Sequence, residues 1–415
     1  MAEPRRPLVG VAAPETPELA ESVLEAGGEP LEISLPGAPR EWGVALCREW
    51  IADALEVHLR TLSPEALLFD APSPAGLAAA LAAAVRTGLP AVCAASSPRR
   101  DSLAAALAGL GALPLREEPA ACAVRLAGEG RPRAGDLIED FALANALRAG
   151  VAAGCGPEVI VHLAALAREA EVEGFGRMVR AIVPGAPGIA RPDSPWLKEH
   201  GLPGLLARLG EDLHDTLTVC GRIRELLPPD PPPPPQDPPQ IRFAFVEARA
   251  SGAEALCSLS GEAGEPAGEC SVYLSEKSAA RAVRWERVEP GSIVVVVGCG
   301  PRGAPGLRRL DALEEAMQEA GFRTPVLTDG LAPEGAGGVW ISAFTPESAA
   351  EGVIGRLRQG DFLRIDLERR AIRTGTDPET FARRDYFGTS RSRGHGYASR
   401  YARSALPALA GASFG

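Results

Sequence analysis

Apolar positions recur along this chain with two different periods, and the change of period divides it. Over residues 7–115, short apolar runs alternate with longer segments whose apolar residues return every three or four positions. The runs at 7–12, 30–35, 66–69 and 90–94 predict strands; the segments 17–26, 42–62 and 75–86 predict helices. Strand and helix in alternation predict a doubly wound parallel sheet, whose ligands sit beyond the carboxyl ends of its strands. The loop after the third strand, residues 70–76, is therefore a candidate site. Residues 115–135 show no period and predict no regular element. Residues 136–227 return to helical spacing, with helices expected at 141–153 and 157–170. Pro157 suits the first turn of the second, and His162 falls on its apolar side, where a packed core residue is the plainer reading than a ligand.

The run Pro228-Pro-Asp-Pro-Pro-Pro-Pro-Pro-Gln-Asp-Pro-Pro239 supports neither helix nor sheet and predicts a stiff polyproline II spacer; an SH3-like partner is the other use of such a segment. It splits the chain into an α/β domain over 1–227, a linker over 228–240 and a second domain over 241–415. Beyond it the strand period dominates, at 241–246, 255–259, 270–274, 292–297, 325–328, 338–343 and 362–367, with few helices between. That pattern predicts a β-barrel-like domain with flanking helices.

Candidate chemistry concentrates in 291–366. The strand at 292–297 runs into Gly298-Cys-Gly-Pro-Arg-Gly-Ala-Pro-Gly306, a helix is expected at 311–320, and the chain returns through Asp329-Gly330 to a second glycine loop, 331–338. Glycine lets a backbone approach closely, so two such loops either converge on a ligand or are tight turns. Arg302, Arg308 and Arg309 beside the first loop either grip an anion through bidentate contacts or form a solvated helix start.

Composition narrows the functional classes. At 415 residues the chain is long enough for two cores, and its net charge of −11 disfavours nucleic acid and anionic membranes as partners. No apolar core follows Arg5-Arg6, and no run of about 18 apolar residues exists, so a cytoplasmic protein is expected. Cys47, Cys93, Cys122, Cys155, Cys220, Cys257, Cys270 and Cys299 form no CxxC pair. They read as buried apolar residues or free thiols, with a metal site assembled from distant cysteines as the alternative.

The order Gly300-Pro-Arg-Gly-Ala-Pro-Gly306, Leu327-Thr-Asp-Gly330, Thr345-Pro-Glu347, Gly360-Asp-Phe-Leu-Arg-Ile-Asp366 resembles the dihydroxy-acid and phosphogluconate dehydratase family. So do Arg48-Glu-Trp-Ile-Ala-Asp53, Gly154-Cys-Gly-Pro-Glu-Val-Ile-Val-His-Leu163, Thr216-Leu-Thr-Val-Cys-Gly221 and the C-terminal Gly396-Tyr-Ala-Ser-Arg-Tyr-Ala-Arg403. The resemblance implies iron–sulfur, Mg-dependent enzymes that dehydrate 2,3-dihydroxy acids to 2-keto acids. It also implies where the cofactor ligands should stand. The Cys-Asp-Lys motif falls on Asp70, Ala71 and Pro72, or in another register on Ser73, Pro74 and Ala75. The Mg-binding glutamate falls on Arg309, the base serine on Pro333 and a neighbouring arginine on Leu331. With only Lys198 and Lys277 in the chain, the carbamylated lysine has no counterpart.

Two readings follow. In one, the chain is a non-catalytic homologue with no cofactor, a homodimer or the partner of an active relative. It would hold a small carboxylic acid at Gly303, Pro305, Gly306, Arg308, Arg309, Asp329 and Gly330. In the other, it is a working hydro-lyase with a site rebuilt around Glu334, Glu158 or the scattered cysteines. A decaying gene is disfavoured because the amphipathic periods are intact.

Overall fold

The computed structural model describes residues 5–13, 16–94, 102–248, 251–261, 265–304, 306–387 and 394–415. The chain opens with β1 (Leu8–Ala12), α1 (Thr16–Glu25), β2 (Glu29–Glu32), α2 (Val44–Leu62), β3 (Ala66–Phe69), α3 (Pro74–Thr87) and β4 (Ala91–Cys93). These strands form one parallel sheet in the order β2-β1-β3-β4. β3 is buried along its whole length, and α3 is buried at all ten positions from Ala75 to Ala84. An Ala-rich helix fits there because small side chains let helix and sheet backbones approach. Ser73 caps α3 by accepting from the Gly76 N–H at 3.2 Å, and Gly88, at φ +69°, ends it. The proposed site loop at 70–76 is thus a helix-entry turn, with Ala71 N–H donating to the Asp70 carboxylate at 2.8 Å.

Helices follow: α4 (Ser102–Leu110), α5 (Pro119–Glu129), α6 (Asp140–Ala152), α7 (Pro157–Glu169), α8 (Phe175–Ile182) and α9 (Pro195–Ala207), the last kinked at Gly201. A short antiparallel hairpin, β5 (Leu217–Thr218) and β6 (Gly221–Arg222), comes next. Residues 115–135, expected to be irregular, contain α5. Pro119 starts that helix, Gly130 at φ +70° ends it, and its apolar face, Ala120, Cys122, Ala123, Leu126 and Ala127, is buried. The flanking Arg, Glu, Pro and Gly residues mask the period because the helix spans only three turns.

Residues 228–239 contain no helix or strand, as their prolines require, and they lie against the helical layer. Trp196 Nε1 donates to the Pro233 carbonyl at 2.7 Å, and a Cβ added to Gly188 would come within 2.3 Å of the Pro239 carbonyl oxygen. The segment is clasped, not a free spacer.

The remaining elements are β7 (Ile241–Ala248), β8 (Ala253–Ser260), β9 (Ala267–Tyr273), α10 (Glu276–Arg284), β10 (Ile293–Val296), α11 (Asp311–Glu319), β11 (Val326–Thr328), β12 (Gly338–Thr345), β13 (Phe362–Asp366), β14 (Ala371–Thr374), α12 (Pro378–Ala382) and α13 (Tyr397–Ser404). The eight strands close a barrel in the order β10-β11-β12-β8-β7-β14-β13-β9. β14 lies outside the strands expected from sequence, since it spans four residues and Arg373 interrupts its apolar character. β10 is apolar on both faces for a structural reason. Ile293, Val295 and Val297 fill the barrel, whereas Val294 and Val296 pack outward with Ala280 and Val283 of α10 and Leu313 and Met317 of α11. Among the described residues, no helix is long and apolar enough to cross a membrane.

Candidate functional site

Both glycine loops dock onto the N-terminal half of the chain. α2 has no side-chain cap at its start, Gly43. Its first amides are satisfied by the first loop instead: Val44 N–H donates to Leu307 O at 3.0 Å, and Ala45 N–H to Gly306 O at 2.9 Å. The approach is close enough that a Cβ on Gly306, at φ +89°, would sit 2.0 Å from Leu46 Cβ. The second loop rests on the turn before α7. Glu334, named above as a centre for a rebuilt site, is exposed and accepts a hydrogen bond from Ser102 Oγ at 2.8 Å.

Inside this junction the charged residues form a continuous chain. Arg48 is 1 % exposed and donates to Glu49 Oε1 at 2.9 Å and to the Gly411 carbonyl at 2.6 Å. Its Nη1 lies 3.2 Å from His162 Nδ1. A guanidinium only donates, so Nδ1 is the acceptor and the proton sits on Nε2. Nε2–H then donates to Glu158 Oε1 at 3.2 Å. The other Glu158 oxygen pairs with Arg309 Nη1 at 2.5 Å, and Arg309 Nε reaches Asp311 at 2.8 Å. Burial pushes the His162 pKa down against the pull of Glu158, so the ring is neutral. Burial works to raise the Glu158 pKa, but the His162 hydrogen bond and the Arg309 charge outweigh it and hold the carboxyl below the usual range.

A second buried carboxyl pair ties the loops together. Asp329 accepts from the Gly298 and Cys299 amides at 3.1 and 2.8 Å and from Ser348 Oγ at 2.5 Å. Glu347 accepts from the Arg302 amide at 2.9 Å and the Gly303 amide at 3.1 Å. Burial and the nearby Asp329 charge push Glu347 up to about 7.

The sequence candidates therefore divide. Gly303, Gly306, Asp329, Gly330 and Arg309 lie in the loop junction. Arg302 donates to Ala405 O at 3.0 Å and Arg308 to Glu41 O at 2.8 Å, so these arginines hold backbone carbonyls of distant segments. Pro305 lies outside the described residues. A cavity of about 100 Å³ beside the first loop is lined by Arg302, Thr345, Glu347 and Pro407, among others. A larger one, about 850 Å³, opens between α7, α8, the barrel and the C-terminal segment, where no candidate was named. Six of the eight cysteines are buried, as expected, and Cys47 and Cys220 are partly exposed. Burial and the Glu158 charge push Cys47 up to about 11, so it is a neutral thiol.

Residues 250–412 match the C-terminal domain of the dihydroxy-acid/6-phosphogluconate dehydratases. The chain belongs to that family. A dihydroxy-acid dehydratase from Methanoregula boonei is 27% identical over 68% of this chain and 56% of its own length. Dihydroxy-acid dehydratase 2 of Bordetella bronchiseptica is 30% identical over 70% of this chain and 55% of its own, and the Leifsonia xyli enzyme 30% over 60% and 49%. The chain spans about half the length of the curated relatives it matches. Within the family frame, the motif residues Arg48, Glu49, Asp53 and Tyr397, together with Gly411, prove to be the bolts of the junction. Tyr397 Oη donates to Asp53 at 2.7 Å and its ring stacks on Trp42 at 5.8 Å.

Proposed function

We propose that this chain is a non-catalytic member of the dehydratase family, a structural or regulatory subunit that pairs with a second copy or with an active relative and retains affinity for a small carboxylic acid. The observation that carries this reading is the Arg309–Glu158 ion pair. Dehydration of a 2,3-dihydroxy acid needs a base for the C2 proton, a Lewis acid for the carboxylate and hydroxyl, and an acceptor for the departing hydroxide. At the positions that the family resemblance assigns to this machinery stand a guanidinium, Arg309, and a side chain without ionisable groups, Pro333. These do not fit the iron–sulfur cluster and Mg of the family: a guanidinium donates no lone pair and repels a dication. Arg309 spends its charge on two carboxylates of the chain itself, Glu158 and Asp311.

The test is keto-acid formation from a panel of dihydroxy and sugar acids, using protein purified without air and reconstituted with iron, sulfide and Mg. The expected result is no turnover above a mock-reconstituted control, together with a rise in the unfolding midpoint when a carboxylic acid of the panel binds. Turnover above the control would overturn the reading and point to a site rebuilt around Glu158 or Glu334.

A further inference from the structure

Away from the loop junction, the docking of the β5–β6 hairpin on α5 brings together two cysteines that lie 98 residues apart in sequence. We infer that Glu117, Cys122 and Cys220 form a binding site for a thiophilic dication, zinc by the chemistry of its ligands. Their ligand atoms all lie within 4.8 Å of one another. Cys122 Sγ is 3.6 Å from Cys220 Sγ, and Cys220 Sγ is 3.3 Å from Glu117 Oε2. Tetrahedral zinc, with Zn–S of about 2.3 Å and Zn–O of about 2.0 Å, requires S···S and S···O edges of about 3.8 and about 3.5 Å. These two edges match within a few tenths of an ångström, and the third, from Cys122 to Glu117, lies within 4.8 Å. Two thiolates and one carboxylate favour zinc over Mg or Ca, which prefer sets made only of oxygen.

The surroundings suit the net negative charge of two thiolates and a carboxylate around a dication. Arg125 Nη2 donates to Glu117 Oε2 at 3.0 Å and to the Val219 carbonyl at 2.8 Å, and reaches Cys122 Sγ at 3.6 Å. Its Nε lies 3.4 Å from Glu117 Oε1. The guanidinium can thus hold Oε1 while Oε2 turns to the metal, the outer-shell arrangement that orients a ligating carboxylate. The charges close as well: two thiolates, a carboxylate and a dication leave one negative charge, which Arg125 neutralises. In the absence of a metal the Cys220 hydrogen bond and burial push the Cys122 thiol up, so uptake of the cation releases the Cys122 proton. Cys122 is buried, whereas Glu117 and Cys220 are partly exposed. That leaves an entry path and a fourth coordination position for water.

The experiment uses the full chain, freed of metal by chelator dialysis and kept reduced by a phosphine. Zinc alone is titrated against a chromophoric chelator, and cobalt(II) is used to read thiolate-to-metal charge-transfer absorption. The expected result is one zinc per chain. Affinity should fall at least about 10-fold in Cys122→Ser and in Cys220→Ser, with loss of the cobalt band. Cys47→Ser, outside the cluster, should keep both. Circular dichroism confirms that each variant folds. Zinc uptake unchanged in both serine variants would overturn the assignment. So would a reduced chain that takes up no zinc yet forms a Cys122–Cys220 disulfide in air, giving up two protons and two electrons to oxygen.

Discussion

Arg309 Nη1 lies 2.5 Å from Glu158 Oε2, joining the loop after the first barrel glycine turn to the first turn of α7. The Glu158 side chain is 8 % exposed and that of Arg309 is 32 % exposed, so the pair sits at the inner edge of the junction. Arg309→Ala leaves a buried carboxylate with His162 as its remaining side-chain partner. Breaking a fully buried pair costs about 3–5 kcal/mol, and partial solvent access to Arg309 reduces this to about 2 kcal/mol. The double variant Glu158→Ala/Arg309→Ala should lose less than the sum of the two single changes. Denaturant midpoints across the four-member cycle measure the coupling; strictly additive losses would show that the pair does not act as a unit.

Glu347 sets a pH dependence on the alkaline side. Its carboxyl keeps its proton in the fold up to about 7, whereas the unfolded chain releases it near 4.5. Its contribution is therefore full below pH about 4.5 and is lost as pH rises through about 7, a span worth about 3 kcal/mol. Glu347→Gln keeps an acceptor for the Arg302 and Gly303 amides but cannot ionise. Thermal midpoints measured between pH 5 and 8 should fall less steeply for the variant than for the parent; parallel curves would refute the assignment.

His162 and Glu158 act in the opposite direction. Both have folded-state pKa values pushed down, so the unfolded chain takes up protons first and stability is lost as pH falls below the ordinary histidine and carboxylate values. The His162 ring should stay neutral, protonated at Nε2, across the pH range in which a free imidazole titrates, and nitrogen-15 imidazole spectra read this directly. Arg48→Leu removes the donor to Nδ1 while Glu158 still accepts from Nε2, so the tautomer should hold and only the Nδ1 nitrogen-15 shift should move. A titrating His162 in the parent protein would contradict the hydrogen-bond chain.

Gly306 is irreplaceable on steric grounds. Alanine there would place Cβ 2.0 Å from Leu46 Cβ and 2.5 Å from its backbone nitrogen, at φ +89°. We expect a loss of at least about 3 kcal/mol and faster hydrogen exchange at the amides of Val44 and Ala45. Gly321→Ala is the control: its φ is also positive, at +59°, but nothing lies within 4 Å, so only the backbone cost of about 1–2 kcal/mol applies.

The element types were legible along most of the chain. Strand-length apolar runs and three-to-four spacing are local signals, and the parallel sheet and the barrel strands appear where those signals place them. The family frame was legible too, through Arg48-Glu49, Asp329-Gly330 and Pro346-Glu347, because motif order survives divergence. α5 and β14 escaped because a short helix between charged flanks and a four-residue strand interrupted by Arg373 carry too little period.

Sequence by itself determined the type of the strongly periodic segments, since these follow from the apolar period and from the backbone limits of proline and glycine. The partners of the polar residues were decided by the tertiary structure alone. Glu158 meets Arg309 across 151 residues and Ser102 meets Glu334 across 232. A charge or a thiol has no period to betray its partner. Which one faces which is settled only when the barrel docks on the helices, where burying an unpaired polar group costs far more than pairing it returns.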